Sequence, residues 1–179
     1  MFKVKGLTPV FNPRFIFFII IPILICLPFF SVGVDMFGWF KREEVLLSSP
    51  VQGQLLDGDK PLSGITVTRE LTYGKEYTDT AVTDSNGNFS FPNKMIKSNK
   101  PNQMFDNDSI DHNIFISHKN KSLILWTVRL SHNPANDTGL VRNLNNLICN
   151  INIPAKIYFL PIEKEKTRSF SIYSMCNIK

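Results

Sequence analysis

Apolar and polar residues alternate along much of the chain after residue 50, which is the pattern of strands with one buried face. Val51, Gly53 and Leu55 place small or apolar side chains on every second position. Phe89 and Phe91 repeat the pattern, with the polar Ser90 between them. Two further alternating segments lie in between, at 65–70 and 77–83. This part of the chain therefore predicts a series of short strands.

Turn-forming residues separate these strands. Asp57-Gly58-Asp59 and Tyr73-Gly74-Lys75 each place a glycine where the chain must reverse. Asp84–Asn88 contains Asn86-Gly87, the pair that best supplies the two positive φ angles of a type I′ hairpin turn. The spacing predicts a hairpin that closes between Thr83 and Phe89.

The pattern continues towards the C-terminus with longer polar interruptions. Asn93–Asp111 is rich in Lys, Asn and Asp and predicts a long surface loop, while Gly139–Leu147 predicts one short helix. Further strands are predicted at Asn113–His118, Leu123–Leu130, Ile148–Ile153, Lys156–Leu160 and Phe170–Met175.

The N-terminus differs from the rest of the chain. Residues 1–14 are short and basic, and Phe15–Val34 contains no charged residue. A helix of about 20 residues spans about 30 Å, which is the thickness of the hydrocarbon core of a bilayer. We therefore predict a transmembrane helix at 15–34, followed by a juxtamembrane segment at 35–48 and a folded domain at 49–179.

The basic residues before the span favour a cytoplasmic N-terminus and an exported C-terminal domain. Two alternatives remain open. Small residues around Gly33 would allow a signal peptidase to cleave there and leave Val34 as the first residue. Translation from Met36 would remove the apolar segment and leave the domain in the cytosol.

Three motifs resemble the carboxypeptidase regulatory-like family of transthyretin-like (prealbumin-like) domains. They are V-x-G-x-L at Val51–Leu55, PLSGITV at Pro61–Val67 and TDSNGNFSF at Thr83–Phe91. The resemblance implies an all-β fold, a transthyretin-like β-sandwich of about seven strands. It also implies a small bacterial protein that acts as a folding, spacing or interaction module, without catalysis.

The charge distribution and the cysteine content limit which classes of partner and which cellular compartment are expected. The formal net charge is +5, but Lys3, Lys5 and Arg14 all precede the span and leave the rest nearly balanced. Without a clustered basic face, a nucleic-acid partner is not expected. If the domain is exported, Cys149 and Cys176 can form a disulfide; in the cytosol they would be two small buried residues.

Catalytic and metal-binding patterns are weak. Asp84, Asn86 and Asn88 offer oxygen atoms in series, but the glycine and closing glutamate of a calcium loop are not at their required positions. His112 and His118, like His132, are not spaced as metal ligands. The chain contains no nucleophile elbow, zinc-peptidase motif or phosphate-binding loop. We therefore expect no enzyme activity, no cofactor and no metal, and a small-molecule ligand is not expected.

The predicted loop at 93–111 is the candidate partner-binding site. Lys94, Lys97 and Lys100 could contact an acidic partner, and Met104 and Phe105 could fix the loop to the sheet.

Together these features predict a non-catalytic interaction module at the bacterial inner membrane. The helix at 15–34 would hold it in the bilayer as a single-pass protein, with its C-terminal domain in the periplasm. One alternative is a cytosolic protein that starts at Met36 and neutralises a protein partner, as immunity proteins do. A second is a carbohydrate-binding domain, for which the candidate exposed aromatic residues are Tyr73, Tyr77 and Trp126.

Overall fold

In a computed structural model, the structure of the protein is described for residues 42–102, 109–130, 137–163 and 165–179. One compact unit extends from Arg42 to Lys179, and we call it the β-domain. Within the described residues, no helix has the length and apolar composition needed to cross a bilayer. The predicted transmembrane span lies outside them.

Strands make up most of the β-domain, which confirms the all-β class. The described residues contain twelve strands, more than the about seven that were predicted. In chain order they are β1 Glu43–Ser48, β2 Val51–Asp57, β3 Lys60–Pro61, β4 Thr66–Tyr73, β5 Lys75–Val82, β6 Asn88–Phe91, β7 Lys94–Ser98, β8 Ile110–His118, β9 Lys121–Leu130, β10 Leu147–Asn150, β11 Lys156–Ile162 and β12 Glu165–Ser174. A short helix, α1, covers Thr138–Leu144, and a 3-10 turn covers Lys100–Asn102.

The larger sheet has six strands in the order β11-β12-β9-β8-β4-β5, and all neighbours are antiparallel. Tight turns join two pairs of neighbouring strands in this sheet. Gly74, with φ 73°, connects β4 to β5, and Lys119 and Asn120, with φ 50° and 61°, connect β8 to β9. The successive positive φ angles of Lys119 and Asn120 match the twist of antiparallel strands. The pairing of β8 with β9 shifts register between Ile114 and Phe115.

The smaller sheet is built around β2. β10 pairs with β2 in parallel on one side, and β3 and β6 pair with it antiparallel on the other. Gly53 of β2 lies directly opposite Phe89 of β6. A Cβ atom on Gly53 would lie 2.5 Å from Cζ of Phe89, so the phenyl ring occupies the space that only glycine leaves open.

A separate two-stranded sheet joins β1 to β7. The prediction of a loop throughout 93–111 is therefore wrong at Lys94–Ser98, which forms β7. β1 lies within the segment predicted as juxtamembrane, but it belongs to the β-domain. β1 belongs to the β-domain because its residues Val45 and Leu47 are buried in the hydrophobic core. Pairing with β1 supplies the ladder hydrogen bonds that the polar sequence of β7 did not suggest.

The two larger sheets share one hydrophobic core. The buried cluster includes Val51, Leu55 and Phe91 of the smaller sheet together with Ile114 and Val128 of the larger one. The sheets therefore pack apolar faces against each other.

A disulfide between Cys149 and Cys176 lies where the chain passes from one sheet to the other. β12 pairs with β9 in the larger sheet as far as Ser174. Just beyond it, the Asn177 N–H donates to the Ile148 carbonyl of β10 in the smaller sheet. The disulfide thus links the end of the chain in the larger sheet to the edge of the smaller sheet.

Candidate functional site

The lysines of the predicted partner-binding loop are not gathered on one exposed loop. Lys94 lies on β7, where its Nζ is 2.9 Å from Oδ1 of Asp79. Lys97 lies on the same strand, opposite Glu44 of β1. Lys100 is in the 3-10 turn, with its Nζ 4.5 Å from the centre of the Tyr73 ring. Met104 and Phe105, predicted to fix this loop, lie outside the described residues.

Arg69 links β4 to β5 and to the segment between β6 and β7. Its guanidinium is buried, donates to the Pro92 carbonyl at 2.8 Å and to Asp79 at 2.6 Å, and lies 4.9 Å from the centre of the Phe91 ring. Burial raises the pKa of Asp79, but hydrogen bonds from Lys94 and Arg69, together with their charges, lower it by more. The net effect is a pKa below the ordinary value, so the carboxylate stays charged. The cluster holds β7 against β4 and β5.

His112 is fully buried, and neither of its ring nitrogens has a hydrogen-bond partner within the described residues. Its ring packs 6.5 Å from that of Trp126, centre to centre. Burial, and then the positive charge of Arg69, lower the pKa of His112 to about 3. The imidazole is therefore neutral and part of the core. Nε2 of His118 is also buried without a partner, and His132 lies outside the described residues.

The turn that resembled a calcium loop uses its carboxylate internally. Oδ1 of Asp84 accepts the backbone N–H groups of Asn86 and Asn88, both at 2.8 Å. The Asn88 backbone bond is the largest of the contributions that keep the pKa of Asp84 below its ordinary value. Among the described residues, no group of three His, Cys, Asp or Glu side chains could hold a metal ion.

The aromatic residues considered for carbohydrate stacking do not share an exposed face. Trp126 is fully buried, and Tyr73 is buried as well. Tyr77 is half-buried, and Nζ of Lys75 lies 4.9 Å from the centre of its ring. A flat aromatic platform built from these three side chains is therefore not present.

A concavity of about 940 Å³ lies over the outer face of β2 and β6, and we call it the trough. Its floor is a grid of four outward-facing side chains, in which Gln52 lies opposite Ser90, and Gln54 lies opposite Asn88. The strand periodicity places these four outside because their neighbours, such as Phe89, point into the core.

The walls of the trough come from distant parts of the chain. One wall is formed by the end of α1, the segment after it, β10 and the C-terminal segment. The other wall is formed by the end of β5 and the turn after it. The wall residues are Arg142, Asn143, Asn145, Asn146, Ile148, Asn177 and Lys179 on the first side, and Ala81, Val82 and Asp84 on the second.

Two floor side chains are available to a ligand. Within the described residues, Gln52 and Ser90 make no side-chain hydrogen bond, although they lie opposite each other on paired strands. Gln54 is held in place because its Nε2 donates to the Asn86 carbonyl at 2.9 Å. Asn88 is held as well, because its Nδ2 donates to Oδ2 of Asp84 at 3.1 Å. The floor therefore combines two fixed amides with the unpaired side chains of Gln52 and Ser90, which is an arrangement that can bind a polar ligand.

The amino-acid sequence alone indicated one part of the trough. The polar residues that alternate with Val51, Gly53 and Leu55 mark an exposed face on β2. The alternation could not show that this face adjoins β6, nor that the chain after α1 forms a wall beside it. Those facts depend on pairing between segments that are far apart in sequence.

The family described as a domain of unknown function, DUF6795, matches residues 51–154, which is more than half of the chain. The match covers β2 to β10 and so includes both strands of the trough floor. The match names no carboxypeptidase regulatory-like or transthyretin-like family. No curated protein and no solved structure matches the chain.

Proposed function

The chain belongs to the DUF6795 family, and we propose that it acts as a non-catalytic binding module at the bacterial inner membrane. In this proposal, the apolar segment at 15–34 is a single-pass transmembrane helix. The β-domain stands in the periplasm and binds its partner in the trough. We also propose that the β-domain is a transthyretin-like sandwich, which two sheets around a common core support.

The trough is the observation that carries the binding half of the proposal. Its floor offers amide and hydroxyl groups on two paired strands whose backbone is fixed by the sheet. Groups held on strands lose little conformational freedom when a ligand binds, so hydrogen bonds to them are more effective than bonds to a loose loop. The groups in the floor are hydrogen-bonding groups and not acid–base pairs, which suits recognition.

The disulfide supports the periplasmic location. Both cysteines are buried, and the bond joins the two larger sheets. Disulfides persist in the periplasm but are rare in the cytosol, where thiols are kept reduced. A chain that starts at Met36 would still contain every described strand, since β1 begins at Glu43. The cytosolic, immunity-like alternative therefore predicts the same fold with reduced cysteines.

Photo-crosslinking in living cells tests the binding half. A benzoylphenylalanine residue is placed at Gln52 in the full-length chain, and in a control chain at Ser171, which is exposed on the outer face of the larger sheet. We expect an adduct from Gln52 that is much stronger than the adduct from Ser171. Equal adducts from both positions, or none from Gln52, would reject the trough as the binding surface.

Sequencing the mature N-terminus distinguishes the alternatives for the N-terminal segment. Met1 is expected for the anchored protein. Val34 would show cleavage, and Met36 with reduced cysteines would favour the cytosolic alternative.

A further inference from the structure

The charges around the trough lie at its walls. Asp84 is on one side, and Arg142 and Lys179 are on the other, while the floor is made of uncharged side chains. The Asp84 carboxylate already accepts hydrogen bonds from its own turn. A polyanion would require a cluster of cations along its path, and two cations on one wall do not supply it. The floor is therefore suited to a ligand that is polar but uncharged.

The floor side chains each donate and accept. A side-chain amide carries two N–H donors and a carbonyl acceptor, and the Ser90 hydroxyl both donates and accepts. The hydroxyl groups of a sugar have the same dual character, so each can pair with Gln52 or Ser90 in either direction. The two rows of the floor are separated by two residues of strand, about 7 Å, so an extended ligand can contact both rows.

Apolar side chains at the edges of the trough complete the match. Val82 is 64% exposed on one wall, and Ile148 is 46% exposed on the other. The C–H faces of sugar rings are apolar, and contact with such side chains removes both surfaces from water. The trough thus offers polar contacts below a chain of sugar rings and apolar contacts at its sides.

A peptide cannot bind to β2 by strand addition. Both edges of β2 are occupied, by β10 on one side and by β3 and β6 on the other. The outer side of β10 is used as well, because the Asn177 N–H donates to the Ile148 carbonyl. Strand addition needs an edge with free backbone groups, and β2 has none; β6 pairs only with β2 among the described strands, so the peptide probe below tests strand addition at its other edge.

We infer that the trough binds an uncharged oligosaccharide segment of a cell-envelope glycan, with Gln52 and Ser90 as its principal hydrogen-bonding residues. This inference rests on the proposed function, since it names the ligand class of the same site.

Calorimetric titration of the full-length chain, in a detergent without a sugar headgroup, tests the inference. The probes are maltohexaose, cellohexaose and chitohexaose as neutral chains, a hexamer of galacturonic acid as a charged chain, and an extended ten-residue peptide. We expect at least one neutral chain to bind with a Kd of about 1 mM or below, and more tightly than the charged chain and the peptide.

Two double variants identify the residues involved. Gln52→Ala with Ser90→Ala removes two hydrogen-bonding side chains and is expected to weaken binding by about tenfold or more. Thr78→Ala with Ser171→Ala removes two exposed polar side chains elsewhere and is expected to change the Kd by less than about twofold. Far-UV circular dichroism checks that both variants are folded, and all four positions are exposed.

The failure of this inference is distinguishable from the failure of the proposed function. If only the charged chain or the peptide binds, or if neutral chains bind equally to both double variants, the glycan inference is overturned. If no probe binds while Gln52 still crosslinks to a protein in cells, the glycan inference is again overturned, but the binding module stands. If no probe binds and Gln52 gives no adduct, both are rejected.

Discussion

His112 makes a specific prediction about the dependence of stability on pH. In the folded protein the ring is fully buried and its pKa is lowered to about 3, whereas the ordinary value is 6.5. As the pH falls below 6.5, the unfolded chain binds a proton that the folded chain cannot bind. The folded state therefore loses stability progressively between about pH 6.5 and pH 3, and His112 contributes almost nothing above this range.

The magnitude follows from the two pKa values. Proton uptake by the unfolded chain lowers the free energy of unfolding by about 2 kcal/mol between pH 7 and pH 5. Asp79 does not contribute in this interval. Its folded-state pKa lies below the ordinary value of 3.8, so the stability that it supplies is present above 3.8 and is lost only at lower pH. Between pH 7 and pH 5, the histidine effect is therefore separate from the effect of this ion pair.

The assay is urea unfolding of the oxidised β-domain at pH 7, 6 and 5, followed by circular dichroism. The comparison is with His112→Leu, which fills much of the same volume and cannot take up a proton. We expect the difference in stability between the two proteins to shift by about 2 kcal/mol in favour of the variant as the pH falls from 7 to 5. If both proteins have the same pH dependence, the reasoning about burial of His112 is refuted.

Three further predictions concern the packing of the β-domain. Gly53→Ala is expected to reduce the free energy of unfolding by about 1–3 kcal/mol through a clash with Phe89, and by less in a Phe89→Leu background; urea titration of the four proteins measures this. Asp79→Ala, which leaves the buried Arg69 without its carboxylate, is expected to cost about 2–4 kcal/mol. Asp111→Ala breaks an exposed ion pair and should leave the unfolding midpoint almost unchanged; similar losses for the two aspartates would contradict the assignment. Reduction of the disulfide, which closes a loop with a sequence separation of 27, is expected to lower stability by about 3–4 kcal/mol in a thermal or urea unfolding experiment.

Local sequence patterns predicted the elements that depend on interactions within a few residues of the chain. The alternation at Val51–Leu55 marked β2, and Asn86-Gly87 marked a turn before β6. The predicted type I′ hairpin at this turn is wrong, because only Gly87 of the pair has a positive φ and because β5 pairs with β4 whereas β6 pairs with β2. The segment Gly139–Leu147 contains the end of α1, which starts after Asp137, whose side chain accepts the Leu140 N–H. In each case a short-range physical cause, side-chain burial or turn geometry, acts within a few residues.

The elements that could not be predicted depend on partners far away in the chain. The Lys94–Ser98 segment is polar and reads as a loop, but β1 pairs with it and Arg69 and Asp79 fix its start. The trough likewise needs the chain after α1 to lie beside β2, which only the parallel pairing of β10 brings about. Alternation identifies an exposed face on a strand, but it does not identify the neighbours of that face.

The location of the β-domain is the claim on which the account depends most, since the disulfide favours an exported domain and the proposed cell-envelope glycan lies outside the cytosol. It can be measured directly with Ser171→Cys in a Cys26→Ser background, because position 171 is exposed and the two remaining cysteines are bonded to each other. Cells whose outer membrane has been made permeable are treated with a maleimide that cannot cross the inner membrane. The account predicts labelling of this cysteine in these cells while the inner membrane is intact. Labelling that occurs only after the inner membrane is lysed would contradict it.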